Sequence, residues 1–175
     1  MTRIHVLALA LSLALSSGAS AQLRLPKSPA SAATSSADTL VGTLLVTPDA
    51  DWRAKLEATS SPTPDIDVVS TVKKGQQVYI LTFFSHSAVD RNGRANLTCD
   101  IEVVRPDGTL STNQRGAACY LGPLKGGPEN VHVSSAVIGF LAEAKDPSGT
   151  WVVNVSLKDT VANVVVPLTT TFTLE

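Results

Sequence analysis

The chain has little charge, few histidines and almost no cysteine, and each shortage narrows its chemistry. Asp, Glu, Lys and Arg make up 17% of its 175 residues, below the quarter or so usual in soluble domains. The formal net charge is only −1. Lys73-Lys74 and the pair Arg91 and Arg94 are too sparse to form a basic patch. A nearly neutral chain without such a patch offers no electrostatic footing for nucleic acid or an anionic membrane. Apart from His5 near the start, the histidines are His86 and His132. His86 stands beside Ser85, Ser87 and Asp90, but sequence neighbours rarely form a triad, and there is no Gly-x-Ser-x-Gly elbow. No calcium-loop or zinc spacing occurs, and no motif asks for a cofactor. No apolar run approaches the roughly 20 residues that a membrane-spanning helix needs.

The two cysteines, Cys99 and Cys119, lack the companions a metal site would require. In an oxidising compartment such a pair is read as a disulfide. The first residues agree with that compartment. Arg3 supplies a positive start, Val6 to Leu15 is an apolar run, and Ala19-Ser20-Ala21 fits the small-x-small cleavage rule. Residues 1–21 are therefore expected to be a signal peptide cleaved after Ala21, with a periplasmic or secreted product and no membrane span after cleavage. Residues 22–38, rich in Ser, Ala and Pro, read as a flexible linker. Residues 39–175 read as one domain.

What the chain has in quantity is β-branched residues, with Val 20 times and Thr 18 times. They suit pleated, half-buried surfaces. Strands are expected over Thr39–Thr47, Ile66–Val72 and Val78–Ser85, the last apolar on both faces and hence central. Between the first two, Asp51 opens either a short helix through Trp52 and Leu56 or an irregular turn. Ala95–Arg105 alternates with Leu97, Cys99, Ile101 and Val103 inward. Arg105-Pro106-Asp107-Gly108 fits a type I turn, so the chain runs back from Thr109. Simple pairing sets Cys99 opposite roughly residue 115, so a bridge to Cys119 demands bulging over Ser111–Gly116. Val131–Leu141 reads as a strand bent at Ser134-Ser135-Ala136. After a tight turn at Asp146–Gly149, Trp151, Val153, Val155 and Leu157 form an inward row. Val164, Val166, Leu168, Phe172 and Leu174 complete the core, and Pro167 marks the last strand as an edge or a bulge. Seven to eight such strands make an all-β, Ig-like antiparallel sandwich, with a closed barrel as the alternative.

Residues 131–175 carry a resemblance. Asp146-Pro147-Ser148-Gly149-Thr150-Trp151, the alternating Val153, Val155 and Leu157, and then Phe172 and Leu174 resemble the closing half of macroglobulin-like and other Ig-like bacterial extracellular domains. The resemblance covers about 45 residues and implies fold alone. The thioester of the protease-trapping macroglobulins needs Cys-Gly-Glu-Gln, a context neither cysteine has.

Three function classes follow. The first is a non-catalytic binding or structural module of the bacterial envelope. It would contact an envelope protein or polymer through loops His86–Arg94 and Gly122–Glu129, because sandwich loops carry function while sheets carry stability. The second is a carboxylate-dependent hydrolase. Asp100 and Glu102 share an outward face with Cα atoms about 7 Å apart, a spacing repeated by Asp65 and Asp67, and a cleft would have to bring them to another acid or to His132. The third is a carbohydrate-binding module with Trp52 and Tyr120 as exposed platforms.

Overall fold

Alternation of apolar and polar residues every second position can bury one face of each strand only by stacking two sheets. The computed structural model does this across residues 32–37, 39–57 and 66–175. The expected signal peptide, most of the linker, and residues 58–65 with Asp65 among them lie outside these described residues. The elements run β1 (Ala32–Ala37), β2 (Leu40–Thr47), α1 (Trp52–Glu57), β3 (Thr71–Val72), β4 (Gln77–Ser85) and β5 (Arg94–Val104). They continue with β6 (Leu110–Pro123), β7 (His132–Val133), β8 (Ile138–Leu141), β9 (Gly149–Asp159) and β10 (Val164–Leu174). One sheet orders β1-β2-β4, with β7 and β8 sharing the far side of β4; the other orders β3-β10-β9-β5-β6. The protein is an all-β sandwich of two sheets.

The ten strands exceed the seven to eight expected for two reasons. The expected strand over 131–141 is two short pieces, parted where Ser134 turns inward and its N–H donates to the Thr82 carbonyl at 2.8 Å. The other is β1, which takes residues 32–37 out of the expected linker and pairs them antiparallel with β2. The expected strand Ile66–Val72 is corrected as well. Only Thr71–Val72 pairs, and it does so parallel to β10, the exception to the antiparallel rule. Ile66 instead lies against Trp52 on the outer face of β2 and β4, in a small second core with Leu45, Leu81 and Phe83. α1 exists because Trp52 needs a carrier over that face. The two faces of β4 are thus both covered, as its sequence requires.

The main core lies between the sheets. β5 and β9 pair along eight positions from Leu97↔Asp159 to Val104↔Val152, so their inward rows face the same interior. Each large apolar side chain so buried contributes roughly 1.5–3 kcal/mol. At Gly42 the sheets come close together. A Cβ there would stand 3.0 Å from a methyl group of Leu168. Pro167 costs nothing because β3 covers only the end of β10, at Thr173 and Leu174, leaving the Pro167 edge unpaired.

The turn at Arg105–Gly108 forms as expected, closed by the Gly108 N–H on the Arg105 carbonyl at 2.9 Å with Gly108 at φ 83°. From it, β6 slips against β5 by single residues between Val103 and Val104, Cys99 and Ile101, and Leu97 and Thr98. Cys99 therefore faces Ala117, and Cys119 is itself the extra residue at the third slip. Two slips fall within the expected bulge and one beyond it. Together they bring Cys119 to Cys99 with Cα atoms 5.8 Å apart, and the disulfide forms. Because it closes a loop of 20 residues, the double variant Cys99→Ala/Cys119→Ala should lose about 3 kcal/mol, chiefly through a freer unfolded chain. Denaturant titration checks this. A loss below 1 kcal/mol would mean that the bulged edge holds itself together.

Candidate functional site

Four chain reversals meet at one end of the sandwich. They are the β1–β2 turn, the β4–β5 loop, the β6–β7 loop and the β9–β10 turn. The Thr39 hydroxyl donates to the His86 carbonyl at 3.4 Å. The His86 N–H donates to the Pro128 carbonyl. The Thr160 N–H and hydroxyl both reach the Asn96 carbonyl, at 3.0 and 2.9 Å. The two loops expected to carry contacts, 86–94 and 122–129, are thus neighbours tied by a backbone bond.

The anchor of this end is Asp159, which the sequence reading did not single out. It is fully buried at the close of β9. Its Oδ2 accepts the Ala88 N–H at 2.7 Å, and its Oδ1 accepts the N–H groups of Val161 and Ala162 at 2.9 and 3.1 Å. One carboxylate therefore fixes both the β4–β5 loop and the β9–β10 turn. An Asp closing a strand is an ordinary Asx-turn signal. The long-range bond to Ala88 is what no local pattern announces.

The β4–β5 loop has its own cap. Asp90 Oδ1 accepts the N–H groups of Asn92 and Arg94 at 2.8 and 2.9 Å. The Arg94 N–H, more than any other group, holds this carboxyl below its usual range, and Asn92 adds to the effect. A depressed folded-state pKa contributes stability above the unfolded value, and that contribution fades as pH falls through the lower folded one. His86 opens the loop with φ 60°, a left-handed conformation that costs a non-glycine residue about 1 kcal/mol. Its Nδ1 lies 3.0 Å from the Ser85 hydroxyl.

Beneath the loops, His132 stacks on Phe84 at 5.4 Å and stands 5.9 Å from Tyr120. Its Nε2 lies 3.0 Å from the Gly127 carbonyl. Tyr120 meets Phe84 edge-on at 5.2 Å, and its hydroxyl donates to the Pro123 carbonyl at 2.7 Å. These rings stiffen the β6–β7 loop from below. Above, exposed apolar side chains stand among exposed polar ones such as Asp90, Arg91, Glu129 and Thr160. Val89, Leu121, Val131, Val161 and Val165 are all exposed around this end, Leu121 to 66%. Among the described residues the remaining exposed large apolar side chains are Leu110 and Leu141.

The other expected site residues are not brought together. Trp52 is 6% exposed beneath α1, with the Arg53 guanidinium 4.6 Å over its ring. It presents no free face and packs in a different core from Tyr120, so the paired aromatic platform does not exist. Asp100 and Glu102 share Arg115, at 3.5 and 2.5 Å, on an exposed part of the sheet. Asp100 also accepts the Gly116 N–H at 2.7 Å. One guanidinium thus holds both carboxylates on the open sheet face, and His132 packs elsewhere, among Phe84 and Tyr120. Asp67 stands beside Asp49, whose carboxylate accepts its N–H at 3.0 Å. Among the described residues no three His, Cys, Asp or Glu side chains gather as metal ligands.

No protein-family model matches this sequence, and no curated protein matches it. Solved structures with partial likeness are diverse. The alkylpurine DNA glycosylase AlkC of Pseudomonas fluorescens, bound to DNA, aligns at 14% identity and a TM-score of 0.39, over 61% of this chain and 27% of that one. A Niemann-Pick type C2 protein from the Japanese carpenter ant aligns at 8% identity and 0.36, over 60% and 79%. A family 123 glycoside hydrolase from Clostridium perfringens aligns at 7% identity and 0.42, over 77% and 27%. The chain thus spans about a quarter of the length of the glycosylase and of the hydrolase. None of these likenesses bears on its activity.

Proposed function

We propose that this chain is an exported, non-catalytic binding module of the bacterial envelope. Its partner, an envelope protein or polymer, docks on the loop end. The observation that carries the reading is that five of the seven exposed large apolar side chains among the described residues, Val89, Leu121, Val131, Val161 and Val165, belong to the elements of this end, whose loops are pinned by Asp159, Asp90 and His132. Isolated surface hydrophobes need no explanation, whereas apolar groups concentrated on one region of a surface mark interaction sites. Pinning lowers the entropy lost when a partner docks. Export is supported by the pattern of residues 1–21 and by a buried disulfide, which persists in oxidising compartments.

The test compares the protein with Val89→Asp/Leu121→Asp, two exposed positions outside the core. Immobilised wild type should retain a component of an envelope extract, and the variant should retain less than a tenth as much at unchanged thermal stability. Equal retention by both, or none by wild type above a blank support, overturns the reading.

A further inference from the structure

We propose that the partner of the loop end is a protein segment that carries carboxylates among apolar side chains. The proposal rests on that end being the docking surface and names the chemistry that docks there. In sequence Arg91 and Arg94 are an isolated basic pair. Folding brings Lys125, in the β6–β7 loop, and Lys158, near the close of β9, to the same end, and all four side chains are exposed. None of the four forms an ion pair. The ion pairs among the described residues engage Lys55, Arg115 and Lys145, which belong to other parts of the fold.

The acids of this end are engaged differently. Asp159 is buried against three backbone N–H groups, and Asp90 accepts two. Among the described residues of this end, Glu129 is the exposed carboxylate that no N–H engages. Four free cations against one free carboxylate complement a partner of negative charge. The apolar side chains decide which kind. They are interleaved with the cations: Lys158 pairs with Val165 across β9 and β10, and Val89 stands two residues before Arg91. A bare polyanion would leave them uncovered. An anionic membrane is entered by Trp, Phe or Leu, yet no aromatic is among the exposed large apolar residues, and all of those at this end except Leu121 are short valines. Valines on pinned loops suit the side chains of a peptide, whose carboxylates the neighbouring cations receive.

The test uses immobilised protein and pools of short randomised peptides: one of Asp, Glu, Leu and Val, a second of Asp, Glu and Ser, and a third of Lys, Arg, Leu and Val. Vesicles of phosphatidylglycerol are run beside them. The first pool should be retained at least tenfold more than the other two, and less as salt rises. Lys125→Glu/Lys158→Glu, which leaves the Asp90 cap untouched, should retain it at least tenfold less at unchanged thermal stability. Lys73→Glu, at the far end of the sandwich, should bind as wild type does. Equal retention of the first and third pools overturns the proposal, as does full retention by Lys125→Glu/Lys158→Glu. A preference for the Ser pool, which shows that charge alone is read, overturns it too, and so does tighter binding to the vesicles. The docking surface is judged separately. Retention from the envelope extract that is lost in Val89→Asp/Leu121→Asp but kept in Lys125→Glu/Lys158→Glu preserves the surface and removes the acidic partner.

Discussion

Replacing Trp151 by alanine should cost about 4 kcal/mol, among the largest single losses this fold can suffer. Trp151 is fully buried at the start of β9, where the two sheets come together. Its ring stacks on Phe172 at 6.0 Å and 12°, and meets Phe140 edge-on at 4.9 Å. Phe140 belongs to the sheet of β4, and Phe172 to the sheet of β9, so the trio bridges both layers. The indole N–H donates to the Pro147 carbonyl at 3.1 Å and fixes the approach into β9. Alanine would leave a cavity that two rings on rigid strands cannot fill. Trp151→Phe keeps much of the volume and loses the N–H, so it should cost only about 1–2 kcal/mol. Urea unfolding followed by circular dichroism separates the two variants. Equal costs would show that the hydrogen bond, and not the packing, holds this corner.

The second large effect is expected at Asp159. Alanine there strands three backbone N–H groups, those of Ala88, Val161 and Ala162, inside the protein. Each unsatisfied donor costs about 1–3 kcal/mol, offset in part where relaxation admits water. A net loss of about 3 kcal/mol follows. The distribution matters more than the total. Amide exchange should quicken at Ala88, Val161 and Ala162 before it quickens at Leu97 or Val155. The loop end should then lose its fixed shape and, with it, the retention proposed for it. Uniform acceleration across the domain would mean that Asp159 stabilises the sandwich as a whole and does not tether two loops.

The strand rows were the most legible part of this chain. Leu97, Cys99, Ile101 and Val103 on β5, and Trp151, Val153, Val155 and Leu157 on β9, alternate without interruption, and all are buried. Pro106 and Gly108 announced their turn because proline is held near the φ its position uses and glycine takes a positive φ without strain. Elsewhere tertiary need overrode local pattern. Residues 32–37 look like a linker, yet β2 requires a neighbour and takes them. Ile66 and Val68 look like part of a strand, yet the outer face of β4 needs cover more than a sheet needs another member.

The reversal expected at Asp146–Gly149 falls three residues earlier. The Asp146 N–H bonds the Glu143 carbonyl at 3.1 Å, and its carboxylate accepts the Glu143 N–H at 2.9 Å. One side chain thus decided which end of a Pro-containing segment turns. The candidate site was half legible. Loop composition marked both contact loops, but not that they touch, nor that Asp159 holds one of them from 71 residues away. Trp52 left both readings open because a tryptophan beside a short helix looks the same in sequence whether the helix faces water or covers a sheet.

The placement of β10 between β3 and β9 sets the order in which this protein can be made. Thr71 and Val72 find their partners only at Thr173 and Leu174, about a hundred residues later on the ribosome. Until then β9 has no second neighbour, and Trp151 lacks Phe172. A nascent chain stopped after β9 would hold half an interior open to water, with an unpaired strand beside it. Such a topology, rich in distant pairings, folds slowly and remains vulnerable to aggregation while it waits. Folding of this domain is therefore a closing event, triggered by its last strand.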